Sequence, residues 1–331
     1  MTRAFKVVLC VRHAFELWTA PAWVSERLRK DFPQLQITHL PDYKHLTEEI
    51  RDAEVFVGWS LRAEQVAAAK KLRWIHSTAA AVHQLLLPEL IGSDVVLTNS
   101  SEVHGPVVAE HALALVLALA KRLPSAVKLQ QRGVWGQTAM WEERPRPREV
   151  MGTTLGVVGL GSIGRELVRS ARAIGMRVVA VREHPEKGTG GADAVYGPEN
   201  LARLLAEADF VVLAAPLTEK SRALMNAERL AQMKPDAFLI NVSRGALVDE
   251  AALAAALEKH TIAGAALDVF ATEPLPAESP LWRLENLLIT PHTAAVTERL
   301  WERHYELLAD NLRRYLAGEP LRGLVDKTRG Y

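Results

Sequence analysis

The chain has 331 residues, 49% of them hydrophobic, and its 40 Lys and Arg nearly balance 39 Asp and Glu, for a formal net charge of +1. That length exceeds what one hydrophobic core usually supports, and the mixed, near-neutral charge argues against a protein that binds nucleic acid electrostatically. The single cysteine, Cys10, excludes an intrachain disulfide framework and points to a reducing compartment, so a cytoplasmic location is expected.

Strand-like runs open the chain at residues 5–11, 35–40, 55–59, 73–77 and 95–98, with helix-like stretches at 23–30, 46–51, 63–70 and 84–90 between them. This βα alternation predicts a parallel sheet with helices on both faces. The run VVLCV is too short for a signal sequence and reads as the first strand, with Cys10 a small core residue. The longest apolar stretch, residues 112–120, is less than half of a bilayer span and reads as a buried helix. Around it, residues 104–123 carry Val107, Val108, Leu113, Leu115, Val116, Leu117 and Leu119, more apolar faces than one domain surface needs, so a homodimer built on this helix is expected. Residues 133–152, rich in Arg, Pro and Trp, read as an irregular connection.

Residues 154–184 then read strand, glycine turn, helix, strand. An apolar run leads into GLGSIG, the context a dinucleotide-binding fingerprint requires. Gly159 permits the tight turn, Gly161 lets the backbone approach a pyrophosphate, and Gly164 lets the helix pack closely. Leu160, Ser162 and Ile163 complete the loop at a helix N-terminus whose N–H groups suit phosphate. At the end of the second strand, where an NAD enzyme usually places an acid for the ribose, stands Arg182. A guanidinium pairs with a 2′-phosphate, so NADP is the favoured cofactor. The adjacent Glu183 leaves NAD possible.

Further strands are expected at 210–214, 237–241, 261–269 and 287–290, and their carboxyl ends carry the polar residues. Ligands in such sheets bind beyond those ends. Arg244, after a buried strand and before a glycine, can clamp a carboxylate or carbonyl oxygen. His292, between Pro291 and Thr293, can exchange a proton near neutral pH. Glu273 can accept the His292 N–H, orient the ring and stabilise the imidazolium. Each residue alone reads equally well as a loop or strand-end charge; together, on a dinucleotide-binding sheet, they match hydride transfer to a 2-keto acid. No metal site is expected.

GLGSIG, NVSRGALVDEAAL, GAALDVFATEPLP, SPLW and ITPHTA together resemble the D-isomer-specific 2-hydroxyacid dehydrogenase family, over nearly the whole chain. The resemblance implies two doubly wound α/β parallel-sheet domains. These are a flavodoxin-like substrate domain formed by residues 1–100 and 294–331, and a Rossmann nucleotide-binding domain at 101–293. It implies an NAD(P)-dependent oxidoreductase with Arg244, Glu273 and His292 as the catalytic set. Pro216, Thr218, Val242 and Asp268 would contact the cofactor, Asp268 through the nicotinamide carboxamide. The loop at Ala79, Ala80 and Ala81 would hold the substrate carboxylate by its backbone N–H groups. There the chain departs from the family pattern, with alanine where glycine is common and His83 where Asp is common.

The resemblance points to glyoxylate or hydroxypyruvate as substrate. The chain's end at Tyr331, soon after the C-terminal helix, leaves no room for an added regulatory domain and argues against long-form phosphoglycerate dehydrogenases. A short-form D-3-phosphoglycerate dehydrogenase remains the alternative enzyme, and phosphite dehydrogenase a more distant one. A dinucleotide-sensing corepressor-like binding protein is the alternative of another class.

Overall fold

The computed structural model describes residues 4–330. The chain forms two compact units, Met1–His104 with Val296–Tyr331, and Gly105–Ala295. In the first unit five strands, β1 (Lys6–Leu9), β2 (Gln36–His39), β3 (Val55–Val57), β4 (Trp74–His76) and β5 (Val96–Thr98), pair in the order β2-β1-β3-β4-β5. Every pairing is parallel. This is the flavodoxin-like order, with its switch point between β1 and β3.

Alternation along each strand divides the core into two layers. Val7, Leu9, Val55, Val57 and Trp74 pack on one face against Leu28 and, from the C-terminal helix Leu300–Ala317, Tyr305, Leu308 and Leu312. Val8, Phe56, Ile75 and Leu97 pack on the other against Leu46, Ile50 and Leu85. Complete burial of each such side chain contributes roughly 1.5–3 kcal/mol.

The second unit holds seven parallel strands: β6 (Thr154–Val158), β7 (Arg177–Val181), β8 (Ala194–Tyr196), β9 (Phe210–Leu213), β10 (Phe238–Asn241), β11 (Gly264–Leu267) and β12 (Leu287–Ile289). Their order is β12-β11-β10-β9-β6-β7-β8, the doubly wound arrangement with β6 and β9 at the reversal. Leu155, Val157, Phe210, Val212 and Ile240 pack toward the helix Ser162–Ala173 and the helix Ser101–Ala120. Val158, Val179, Val211 and Leu239 face Leu204, Leu253 and Leu257 on the opposite side.

Several local features differ from the sequence expectation. The helix expected at 84–90 is divided into a 3-10 turn, His83–Leu85, and a helix, Pro88–Ile91, because a proline ring drives the residue before it out of helical backbone. The irregular stretch 133–152 contains a short helix, Gln137–Glu142. β8 and the helix Leu123–Gln131 fall outside the expected elements. The helix Ser101–Ala120 is apolar and long enough to cross a membrane by composition alone, yet 56% of its apolar 18-residue window is buried inside the fold. Val107, Val108, Leu115, Val116 and Leu119 are buried within this chain, so the helix has less spare apolar surface than expected for a subunit contact.

β4 ends in His76, a fully buried ring whose Nδ1 lies 2.9 Å from Thr98 Oγ1 and whose Nε2 has no partner among the described residues. Burial pushes its pKa down to about 4. The unfolded chain therefore binds a proton between about pH 6.5 and 4 that the folded chain refuses, so stability falls as pH drops through that window. The loss should approach ~3 kcal/mol at its lower end. Urea midpoints at pH 7.5 and pH 4.5 should fall more steeply in the wild type than in His76→Phe; equal slopes would exclude this contribution.

Candidate active site

The glycine loop follows β6, and each glycine stands where a side chain meets a specific constraint. Gly159 has φ +103°, and a Cβ there would lie 2.7 Å from the carbonyl oxygen of Ala214. A Cβ on Gly164 would lie 2.0 Å from the Gly159 carbonyl oxygen, so the helix approaches the turn at glycine distance. Gly161 has nothing within 4 Å of its would-be Cβ, and it caps the helix Ser162–Ala173 with no side-chain acceptor. The result is an open cradle of backbone donors at the start of a twelve-residue helix, which suits a pyrophosphate. The residues present fit a dinucleotide.

Arg182 follows β7, half-buried, and its Nη1 donates to the Gly188 carbonyl at 3.1 Å. The neighbouring Glu183 is exposed and paired with Lys220 at 3.3 Å. Beyond β9, Pro216 and Thr218 shape a turn closed by Ser221. Ser221 Oγ donates to the Pro216 carbonyl at 2.8 Å, and Thr218 N–H donates to Ser221 Oγ at 2.7 Å.

The segment after β10 is held by its own polar side chains. Asn241 Nδ2 donates to the Arg244 carbonyl at 2.9 Å, and Asn241 Oδ1 accepts from Ser243 N–H at 3.1 Å. Val242 between them is buried, and Ser243 Oγ donates to the Ala215 carbonyl at 2.5 Å. Gly245 is obligatory, since a Cβ would fall 1.8 Å from the carbonyl carbon of Phe270. Arg244 thus leaves the strand in extended backbone, with Nη1 donating to the Ser243 carbonyl at 2.6 Å. Burial lowers its pKa and the Glu273 carboxylate raises it in opposition; the guanidinium stays charged either way.

Asp268, at the end of β11, is fully buried. Oδ1 accepts from Thr290 Oγ1 at 2.6 Å and Thr293 N–H at 2.9 Å, and Oδ2 accepts from Ala294 N–H at 3.0 Å. His111, on the helix Ser101–Ala120, places Nε2 3.1 Å from Thr290 Oγ1 and 3.6 Å from Asp268 Oδ1. A buried carboxylate demands such donors, and here they form the loop that carries His292. His292 itself has φ +53°, a left-handed conformation that costs a non-glycine residue roughly 1–3 kcal/mol. Its N–H donates to the carbonyls of Asp268 and Thr290, at 2.9 and 3.0 Å.

Glu273 Oε2 lies 2.6 Å from His292 Nδ1, and its Oε1 accepts from Phe270 N–H at 2.9 Å. The carboxylate is fixed on one side by backbone and on the other by the ring. That contact assigns the proton on Nδ1 and leaves Nε2 to exchange one. Both side chains remain about one-third exposed, at 39% and 34%. Arg244, Glu273 and His292 therefore come from three adjacent strand ends of one sheet.

Ala79, Ala80 and Ala81 lie after β4 in the other unit, half-buried. The sequence marks Asn241 only as a strand-end polar residue and singles out neither His111 nor Thr290, yet the three brace the Arg244 and His292 segments. The signal was weak, an Asn closing an apolar strand and a His inside a helix, residue types that usually need no special account.

Comparison with known proteins follows the same lines. The family described as D-isomer specific 2-hydroxyacid dehydrogenase, NAD binding domain, matches residues 113–294. The chain is 36% identical over 294 residues to the glyoxylate reductase of Korarchaeum cryptofilum (strain OPF8), covering 87% of each. It is 33% identical over 286 residues to the D-3-phosphoglycerate dehydrogenase of Methanocaldococcus jannaschii, covering 86% of this chain but 53% of that one. The crystal structure of an NADPH-dependent glyoxylate/hydroxypyruvate reductase from Sinorhizobium meliloti, in complex with NADP and sulfate, superposes with a TM-score of 0.82. It has 26% identity and covers 99% of this chain and 100% of that one.

Proposed function

The chain belongs to the D-isomer-specific 2-hydroxyacid dehydrogenase family, as an NAD(P)-linked oxidoreductase, and we propose that it reduces glyoxylate or hydroxypyruvate with NADPH, using Arg244, Glu273 and His292. The observation that carries this reading is the 2.6 Å contact between Glu273 and His292 at a strand end of the dinucleotide-binding sheet. The relatives named for glyoxylate and hydroxypyruvate, matched over most of their length, favour small 2-keto acids. D-3-phosphoglycerate is the second reading, supported by relatives of which this chain spans about half.

When bound, the dinucleotide would supply the hydride that reduces the keto carbon of the substrate. His292 delivers the proton from Nε2 to the developing alkoxide, its Nδ1–H held by Glu273, which balances the positive ring before transfer. Arg244 engages the substrate carboxylate and carbonyl oxygen. Its charge stabilises the oxygen as negative charge accumulates, an effect of ~3–4 kcal/mol in comparable sites. The backbone of Gly159, Leu160, Gly161, Ser162, Ile163 and Gly164 would hold the dinucleotide's pyrophosphate. Pro216, Thr218 and Val242 would line its nicotinamide, and Asp268 would fix the loop beside it. Ala80 and Ala81 receive the substrate carboxylate through backbone N–H groups, whereas the N–H of Ala79, expected to join them, donates to Ser77 Oγ at 3.2 Å.

NADPH is the preferred cofactor in this reading, since Arg182 offers a guanidinium to the 2′-phosphate while Glu183 is engaged by Lys220. The buried thiol of Cys10 fits a reducing cytoplasm. The active form in this reading is a homodimer. Its support lies beside the long helix, where Leu123, Val127, Val134, Trp135 (92% exposed) and Trp141 (59%) leave an apolar surface uncovered.

Three outcomes test the proposal. His292→Ala should lower kcat by about 10²–10⁴-fold with NADPH binding nearly unchanged, and wild-type turnover in that variant would remove His292 from the mechanism. Arg182→Asp should raise the KM for NADPH and lower that for NADH; a wild-type enzyme that already prefers NADH would overturn the role given to Arg182. Sedimentation at micromolar concentration should give a dimer that Trp135→Ser/Trp141→Ser weakens, whereas a wild-type monomer would contradict the assembly.

A further inference from the structure

We propose that Asn99 is a positioning residue for substrate binding, set in place by a C-terminal strap, residues 321–327, that pairs with β5. This rests on the reading that loop 77–81 receives the substrate carboxylate.

A backbone loop grips an anion only if its carbonyls point away and its N–H groups point in. In loop 77–81 the carbonyls are tied down by the two residues after β5. The Ser77 carbonyl accepts from Ser100 Oγ at 2.8 Å, the Ala79 carbonyl from Ser100 N–H at 3.1 Å, and the Ala80 carbonyl from Asn99 Nδ2 at 3.1 Å. Among the described residues, the N–H groups of Ala80 and Ala81 meet no acceptor. The loop lacks the glycine that would reach such a shape freely, so its orientation depends on these three anchors.

Whereas Ser100 uses both its hydroxyl and its backbone N–H, Asn99 anchors the loop through its side chain alone. It is buried, and its amide is oriented unambiguously, because Oδ1 accepts from Ser101 N–H at 3.2 Å while Nδ2 donates to Ala80. Its own backbone is held from the strap, Asn99 N–H donating to the Gly323 carbonyl at 2.8 Å. Gly323 has φ +71°, and a Cβ there would stand 2.5 Å from the Asn99 carbonyl oxygen. The strap continues along β5 through a bridge of Leu324 to Thr98 and Val325 N–H to the Leu97 carbonyl at 2.9 Å. At one end Asn311, fully buried, bonds both backbone groups of Arg322. At the other, Lys327 Nζ donates to three carbonyls, those of Leu90, Ser93 and Val95, at 2.8, 2.5 and 2.9 Å. A segment pinned this heavily at both ends transmits position to Asn99 and so to Ala80.

The test is steady-state kinetics with glyoxylate and hydroxypyruvate on the full-length enzyme. Asn99→Asp keeps the shape and the bond to Ser101 but turns the donor toward Ala80 into an acceptor. Asn99→Ser keeps a cap but is too short to reach Ala80. Both should raise the KM for the keto acid about tenfold, the loss of one directed hydrogen bond, with kcat, the KM for NADPH and the melting temperature little changed. Gly323→Ala should shift the same KM in the same direction. Ala80→Pro, which deletes an inward N–H, separates the two levels of the argument. A rise with Ala80→Pro but not with either Asn99 variant refutes the positioning role and leaves the loop reading standing. No change with Ala80→Pro refutes the loop reading and the positioning role with it. Parallel losses in both KM values, kcat and melting temperature would make Asn99 a purely structural residue and overturn the proposal.

Discussion

The buried carboxylate of Asp268 is the interaction on which the carboxyl edge of the second unit's sheet depends. A fully buried carboxylate is tolerated only when its oxygens find donors, and here they find Thr290, Thr293 and Ala294. Those donors flank His292, whose left-handed backbone would not persist without a surrounding that over-determines it. The desolvation cost of one charge is thereby offset by hydrogen bonds that hold another residue in strain. His111, far away in sequence, closes the arrangement through Thr290 and ties it to the long apolar helix.

From that fixed point the other groups follow by strand order. β10 and β11 are neighbours, in register from Phe238 with Gly264 to Asn241 with Leu267, so the Arg244 segment and Asp268 emerge side by side. β12 lies next to β11 and delivers Pro291 and His292 to the same edge. Glu273 reaches the imidazole from the loop after β11, with Phe270 N–H steadying its other oxygen. Gly245 lets the Arg244 turn sit against the Phe270 backbone at a distance no side chain allows. The geometry of the set is thus a property of the sheet, read out by short loops.

The nucleotide-binding cradle works by leaving things out. Gly159, Gly161 and Gly164 remove side chains from a turn, an open mouth and a helix–strand contact respectively, and the helix start is left uncapped by any side chain. Unsatisfied N–H groups are a liability in an ordinary helix and become an asset when an anion completes them. The first unit repeats the logic on a smaller scale after β4, where bonds to Ser77, Asn99 and Ser100 occupy carbonyls and, among the described residues, the amides of Ala80 and Ala81 meet no acceptor.

Periodicity and punctuation in the sequence alone determined the parallel α/β class, nearly all the long strands, the glycine loop and the candidate set Arg244, Glu273 and His292. These are legible because they are local: a strand, a turn and the residue after it lie within a few positions, and the backbone rules that govern them act over the same range. β8, three residues at a sheet edge, and the nine-residue helix after Arg122 escaped because such short segments take their form from neighbours. The apolar excess read on the long helix was mostly spent inside its own fold, since composition counts apolar residues without saying which surface covers them. Only the tertiary structure decided that Asp268 latches the His292 loop and that His111 braces it across 179 positions of sequence. It likewise decided that the strap from Arg322 to Lys327 lies on β5 and steadies Asn99. Those are side-chain and backbone bonds between segments brought together by strand order, and strand order is settled by the packing of the whole sheet rather than by any stretch of chain read alone.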